Sequence, residues 1–137
     1  MKNLTLTLAL VLCAPVLIAQ NVPYNVVFDV TTADTVVHQM VIRWVTEISK
    51  KHPEAKIEVV YYAKSLGMVT KDKSIVANEV ITMAGNKNVS FTVCEGAMKR
   101  NNVEKDQLLD GVKTAPDGIY EIVKRQSEGW GYIKASR

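Results

Sequence analysis

Cys94 stands in the run Phe91-Thr92-Val93-Cys94-Glu95-Gly96-Ala97-Met98-Lys99-Arg100, where alternating apolar residues give way to a helix-forming stretch. A thiol at such a junction is a candidate nucleophile, because the N–H groups of a first helical turn and nearby cations favour thiolate over thiol. Gly96 and Ala97 supply those N–H groups, and Lys99 and Arg100 supply the cations. These four are the candidate substrate-binding residues around a catalytic Cys94. Glu95 opposes the thiolate if its carboxylate lies close. The same pattern also suits an inert cysteine, since a free cysteine packs as a small hydrophobe.

The only other cysteine, Cys13, falls in an N-terminal segment with the marks of a secretory signal. Lys2 precedes a nearly unbroken apolar run over residues 4–18, and the small Ala19 stands before Gln20. Removal of residues 1–19 is therefore expected. The run is short for a membrane anchor, and Leu12 before Cys13 does not suit a lipoprotein signal. The remaining domain, 20–137, then has one thiol, no internal disulfide and no membrane span. Its expected location is periplasmic or secreted, where an unpaired thiol is unusual.

Other chemistry is sparse. No His, Cys or carboxylate set has metal-ligand spacing, and no CxxC pair is present, so neither a metal centre, a resident cofactor nor a self-contained dithiol oxidoreductase is expected. His38 lies on the edge of an apolar helical stripe, a place where a histidine more often satisfies the helix than serves a thiol. His52, in Lys51-His52-Pro53, reads as a cation at a helix C-terminus. Asn88-Val89-Ser90 matches a glycosylation sequon but enters an expected strand. Loss of Lys2 with the signal leaves a net charge of +2 out of 17 basic and 14 acidic residues. So balanced a charge excludes the basic footprint of a nucleic-acid binder.

The elements that must position Cys94 follow from the apolar periodicity. A strand over 24–31 is apolar on both faces, as strands of covered parallel sheets are. Asp34 caps a helix to Lys51, whose Val37, Val41, Trp44, Val45 and Ile48 form one stripe. Val36 and Met40 widen that stripe beyond what one sheet face needs, which suggests contact with a second subunit. A strand over 57–62, a loop through 64–67, a helix over 72–84 and a strand over 88–93 lead to Cys94. Beyond it come a short helix to Arg100, a break at Asn101-Asn102, a short helix over 104–109 and a brief strand over 112–115. Pro116-Asp117-Gly118 opens a last helix with Ile119, Ile122, Val123 and Gln126 on one face, and 129–134 forms a terminal strand containing Trp130. This alternation specifies one α/β domain, a three-layer arrangement with helices on both faces of a five-stranded, mostly parallel sheet. Chemistry in such sheets gathers at the carboxyl ends of the strands, where 31–34, 63–67 and 94–97 all lie.

The pattern Cys94-x-x-Ala97-x-x-Arg100 followed by Val103 resembles the cysteine segment of the DsrE/DsrF-like family of sulfur-handling proteins. The tail, Asp106-Gln107-Leu108-Leu109-Asp110-Gly111-Val112, Pro116 to Val123 and Gln126 to Ile133, is similar to the end of a small extracytoplasmic branch of that family. The resemblance implies homotrimers or homohexamers, and a cysteine, here Cys94, that accepts sulfane sulfur from a donor as a persulfide and passes it to an acceptor thiol. Arg100 matches the family's basic position. Where relay members usually carry glycine after that arginine, Asn101-Asn102 stand here, and asparagine tolerates the left-handed backbone that glycine would supply. The alternative is a non-catalytic oligomeric binding protein in which Cys94 is structural.

Overall fold

A computed structural model describes residues 22–137. The expected signal segment, with Cys13, lies outside the described residues. In chain order the elements are β1 (Asn25–Val30), α1 (Thr35–Lys51), β2 (Lys56–Tyr61), a 3-10 helix (Ser65–Val69), α2 (Ala77–Ala84), β3 (Val89–Cys94), α3 (Glu95–Arg100), a 3-10 turn (Lys105–Gln107), β4 (Lys113–Ala115), α4 (Gly118–Ser127) and β5 (Gly131–Ala135). The five strands form one sheet in the order β4-β3-β2-β1-β5. Every pairing is parallel rather than mostly so.

Strand alternation divides the core in two. Val26, Phe28 and Val30 of β1, Ile57, Val59 and Tyr61 of β2, and Val89, Phe91 and Val93 of β3 meet Val37, Val41 and Val45 of α1 and Val80 of α2 in the main core. The extra width of the α1 stripe is largely used within the chain. Met40, Trp44 and Ile48 pack partly against this core, and Trp44 stacks on Phe28 at 5.9 Å. Val36 remains half exposed.

The opposite face is thinner and more polar. Its apolar part is Val27, Val60 and Ile122, with Tyr62 and Trp130 packed against it. Beside them Glu58 is buried and accepts a hydrogen bond from Thr92 Oγ1 at 2.6 Å. A buried carboxylate requires a cation, and Arg125 of α4 supplies it through Nε. The same guanidinium also pairs with Glu121 at 3.0 Å and Glu128 at 3.1 Å, and lies 4.9 Å from the centroid of Trp130. Turning Arg125 to the sheet changes the expected face of α4. Ile122 is buried, but Ile119 and Val123 are more than half exposed, together with Tyr120.

A second polar group occupies the β1–β5 end of that face. Buried Asp29 accepts from Tyr132 Oη at 2.7 Å and Lys134 Nζ at 3.1 Å, and Lys134 also donates to Thr31 Oγ1 at 2.8 Å. The hydrogen bond to Asp29, then burial, pushes Tyr132 up to about 12. Burial, then the Asp29 charge, does the same for Tyr62.

Three segments differ from sequence expectation. The loop through 64–67 is part of the 3-10 helix, tied down by Ser65 Oγ, which donates to the carbonyls of Val30 and Tyr62 at 2.7 and 2.8 Å. The helix expected over 72–84 starts only at Ala77, because Ser74 Oγ donates to Met68 O at 2.5 Å and accepts from Val76 N at 3.3 Å, holding 70–76 in turns. The short helix over 104–109 contracts to a 3-10 turn closed by a reciprocal Glu104–Gln107 capping box. Elsewhere the caps are those expected: Asp34 accepts from Val36 N, and Asp117 from Ile119 N and Tyr120 N.

Candidate functional site

Because all five strands are parallel, their carboxyl ends share one edge, and Cys94 is the last residue of β3 there. It is also the N-cap of α3, in extended conformation at φ −68° and ψ 119°. Its side chain makes no capping hydrogen bond to the first turn. Val89, Phe91 and Val93 turn to the main core and Thr92 turns to Glu58 on the α4 side, while Cys94, at the strand end, both joins the main core and packs against Gly118 of α4. The residue is 7% exposed.

Two glycines shape its surroundings. Gly118, the first residue of α4, lies directly against it. A Cβ at 118 would stand 2.9 Å from Cys94 Cβ, closer than real Cβ contacts come, and a tight 3.2 Å from Val60 Cγ1. A helix starting against this strand end therefore requires glycine. Gly118→Ala should displace either α4 or Cys94, costing about 1–3 kcal/mol as an overpacked contact, measurable by urea denaturation, and should change the alkylation rate of Cys94. Asp117-Gly118 is a helix-start signal in the sequence, but periodicity does not reveal that its glycine backs the thiol.

Gly96 has a different role. A Cβ there would lie 3.6 Å from Cys94 Sγ and 3.6 Å from Arg100 Nη1. Helix side chains lean toward the N-terminus, and residues four apart share a face. Arg100 thus reaches back along α3 over Gly96 toward Cys94. Its side chain has no hydrogen bond or ion pair with any described residue.

The remaining candidates divide. Ala97 is fully buried, and its methyl belongs to the core. Lys99 is exposed, and its charge acts on Glu95. Glu95 accepts from Thr114 Oγ1 at 2.9 Å and pairs with Lys105 at 3.2 Å. Those contacts, the Thr114 hydrogen bond foremost, hold its carboxyl below the usual range. His38 is buried and its Nε2 donates to Thr32 O at 2.8 Å, which makes it a satisfied helix residue.

Asn101, which stands where glycine is usual in the resembled family, binds the site edge together. Its Nδ2 donates to Ala63 O at 2.9 Å and to Ala97 O at 2.8 Å. Ala63 itself has φ 56° and Asn102 has φ 52°. The left-handed turn after α3 is thus made by asparagine. An apolar groove of about 450 Å³ lies at the other end of the strands, between Tyr24, Phe28, Trp44, Ile48, His52 and Ile133. It is remote from the thiol. No group of three or more His, Cys, Asp or Glu among the described residues is placed to hold a metal ion, and no described helix is long and apolar enough to cross a membrane.

Comparison with known proteins agrees with this architecture. The DsrE/DsrF-like family model matches residues 26–135. Among solved structures, the protein of unknown function MTH1491 from Methanobacterium thermoautotrophicum is 31% identical, with a TM-score of 0.75 over 81% of this chain and 98% of that one. YchN from E. coli shares the fold at 8% identity and a TM-score of 0.67, over 82% of this chain and 98% of that one. BT1422 from Bacteroides thetaiotaomicron, a conserved protein of unknown function, does so at 13% and 0.65, over 81% and 94%. No curated protein matches the chain. The match spans every strand and every helix, and the chain belongs to the DsrE/DsrF-like family, which is associated with sulfur relay.

Proposed function

We propose that this protein is a sulfur carrier or sulfurtransferase-like protein that holds sulfane sulfur as a persulfide on Cys94. The Cys94 thiolate attacks the sulfane sulfur of a donor, the donor's remaining part leaves with the bonding electron pair, and an acceptor thiolate later takes the sulfur from the persulfide. The observation that carries the reading is the placement of Cys94 at the end of β3 with the Arg100 guanidinium brought back over Gly96, in a family associated with sulfur relay. The N–H groups of Gly96 and Ala97 and the charges of Lys99 and Arg100 are the groups that would bind the donor. A homotrimer or homohexamer is the proposed assembly. It is supported by the family and by the exposed Ile119, Tyr120 and Val123 of α4, since apolar patches of this kind mark contact surfaces. The proposed location is periplasmic or secreted, with a mature chain starting at Gln20, which N-terminal sequencing of the exported protein checks.

The deciding experiment is intact-mass analysis of protein purified without reductant and then incubated with a sulfane donor. One added sulfur, removable by a thiol and located on Cys94, is the expected result. The burial of Cys94 favours the second reading, a binding protein with a structural thiol. A Cys94 that alkylates only after denaturation decides for that reading.

A further inference from the structure

We infer that the cleft at the amino ends of β2, β3 and β4, beside the C-terminal end of α4, is a binding site for a small multivalent oxyanion of the phosphate class. The site is separate from Cys94 and independent of the persulfide reading. Its origin lies in the connections between strands. The chain adds β2, β3 and β4 in one direction from β1, and α1, α2 and α3 pack on the main-core face. β5 returns to the other side of β1, and α4 is the helix that covers the opposite face. Five strands about 4.8 Å apart span about 19 Å, whereas a helix with its side chains is about 10–12 Å wide. One helix cannot roof that face. A cleft of about 260 Å³ is left at its edge, lined by Lys56 of β2, Lys87 in the turn before β3, Ser90 of β3, Lys113 of β4, and Arg125 and Trp130 from the end of α4.

The lining has one electrostatic character. Glu128 is its one carboxylate, and Arg125 matches it at 3.1 Å. The buried Glu58, opposite Ser90 in register, is held by Arg125 and Thr92. Lys56, Lys87 and Lys113 pair with no carboxylate among the described residues. The unmatched charge of the cleft is therefore three ammonium groups, brought together from three neighbouring strands or their lead-in turns. Like charges gathered in one cleft repel, and a multivalent oxyanion relieves that repulsion while accepting charge-assisted hydrogen bonds from them. Neutral groups suit the same ligand. Ser90, half-buried in the wall, offers a hydroxyl that donates to no described residue. The carbonyls ending α4 would oppose an anion, but those of Lys124, Arg125 and Gln126 already accept from the backbone N–H groups of Glu128, Gly129 and Trp130. Trp130, held under the Arg125 guanidinium, supplies an apolar wall and a fluorescent reporter.

The test titrates the mature chain with inorganic pyrophosphate by calorimetry, at an ionic strength held constant with sodium chloride. Saturable binding of one pyrophosphate per protomer, tighter than that of sulfate and accompanied by a change in tryptophan fluorescence, is the expected result. Lys87→Gln and Lys113→Gln should each weaken binding about tenfold, the scale of one charge-assisted contact. Both side chains are exposed and free of ion pairs, so the melting temperature of each variant should match the parent's. Lys64→Gln removes the same charge at the carboxyl edge of the sheet and should leave the affinity unchanged, as should Cys94→Ser. Absence of saturable binding at millimolar pyrophosphate overturns the inference. A loss in Lys64→Gln as large as in Lys87→Gln also overturns it, because the attraction would then belong to net charge rather than to the cleft. Binding abolished in Cys94→Ser would place the anion at the other end of the strands and overturn it as well.

Discussion

Cys94→Ser should take up no sulfur from any sulfane donor, yet fold and assemble as the parent does. Serine differs from cysteine at one atom, and its hydroxyl does not ionise near neutrality, so no nucleophile remains at the end of β3. The structural cost is small for a specific reason. Residue 94 is the N-cap of α3 and its thiol makes no capping hydrogen bond, whereas serine is among the preferred N-cap residues and its hydroxyl can accept from a first-turn N–H. That gain, about 1 kcal/mol, offsets most of the penalty for placing a hydroxyl at a site only 7% exposed. The melting temperature should therefore stay within about 5 °C of the parent. Sulfur uptake by the variant would place the carrier atom elsewhere and end the proposal for Cys94. Loss of folding would show that the thiol's packing, rather than its chemistry, is what residue 94 supplies.

The largest loss of stability should come from Arg125→Ala. The change leaves Glu58 buried with only Thr92 as a partner, in a layer whose apolar part is just Val27, Val60 and Ile122. Removing one partner of a buried ion pair costs about 3–5 kcal/mol, a large fraction of the roughly 5–15 kcal/mol that holds a small domain together. The cation over Trp130 is lost as well. Arg125→Ala should unfold at much lower urea. The double variant Glu58→Leu/Arg125→Met should recover most of the stability, since a buried pair replaced by apolar side chains is often neutral. Equal destabilisation in the single and double variants would mean that packing of the arginine stem, not charge pairing, holds α4 to the sheet.

These two sites also mark what the sequence discloses. The apolar runs of β1, β2 and β3 and the stripe of α1 fix layer and element order, because burial on two faces leaves no other arrangement for them. Asp34 and Asp117 announce their helices through short-range capping. The rotation of α4 does not follow from its own residues, because it answers to Glu58, 67 positions away. For the same reason the approach of Arg100 to Cys94 is legible from the i, i+4 spacing across Gly96, while the packing of Gly118 against that thiol depends on where a distant helix begins. The Ser65–Val69 helix was hidden because its buried hydroxyl bonds reach back to β1, and local composition reads only as a loop.

The position of the last strand bears on how the chain avoids self-association. β1, Asn-Val-Val-Phe-Asp-Val, is buried from Val26 to Val30, and one of its two edges is covered only by β5, with Val26 opposite Gly131 and Val30 opposite Ala135. Until the final residues dock, that edge offers unpaired backbone beside Val27 and Phe28, the template on which aggregates grow. Because this pairing joins segments more than one hundred residues apart, forming it carries a high loop-closure cost. β5 brings Lys134 to the rim, where it pairs with Asp29, and a charged, short outer strand discourages further addition. The C-terminal segment thus acts as a guard strand, and a chain clipped before Gly131 should precipitate or be degraded rather than circulate as a slightly weakened domain.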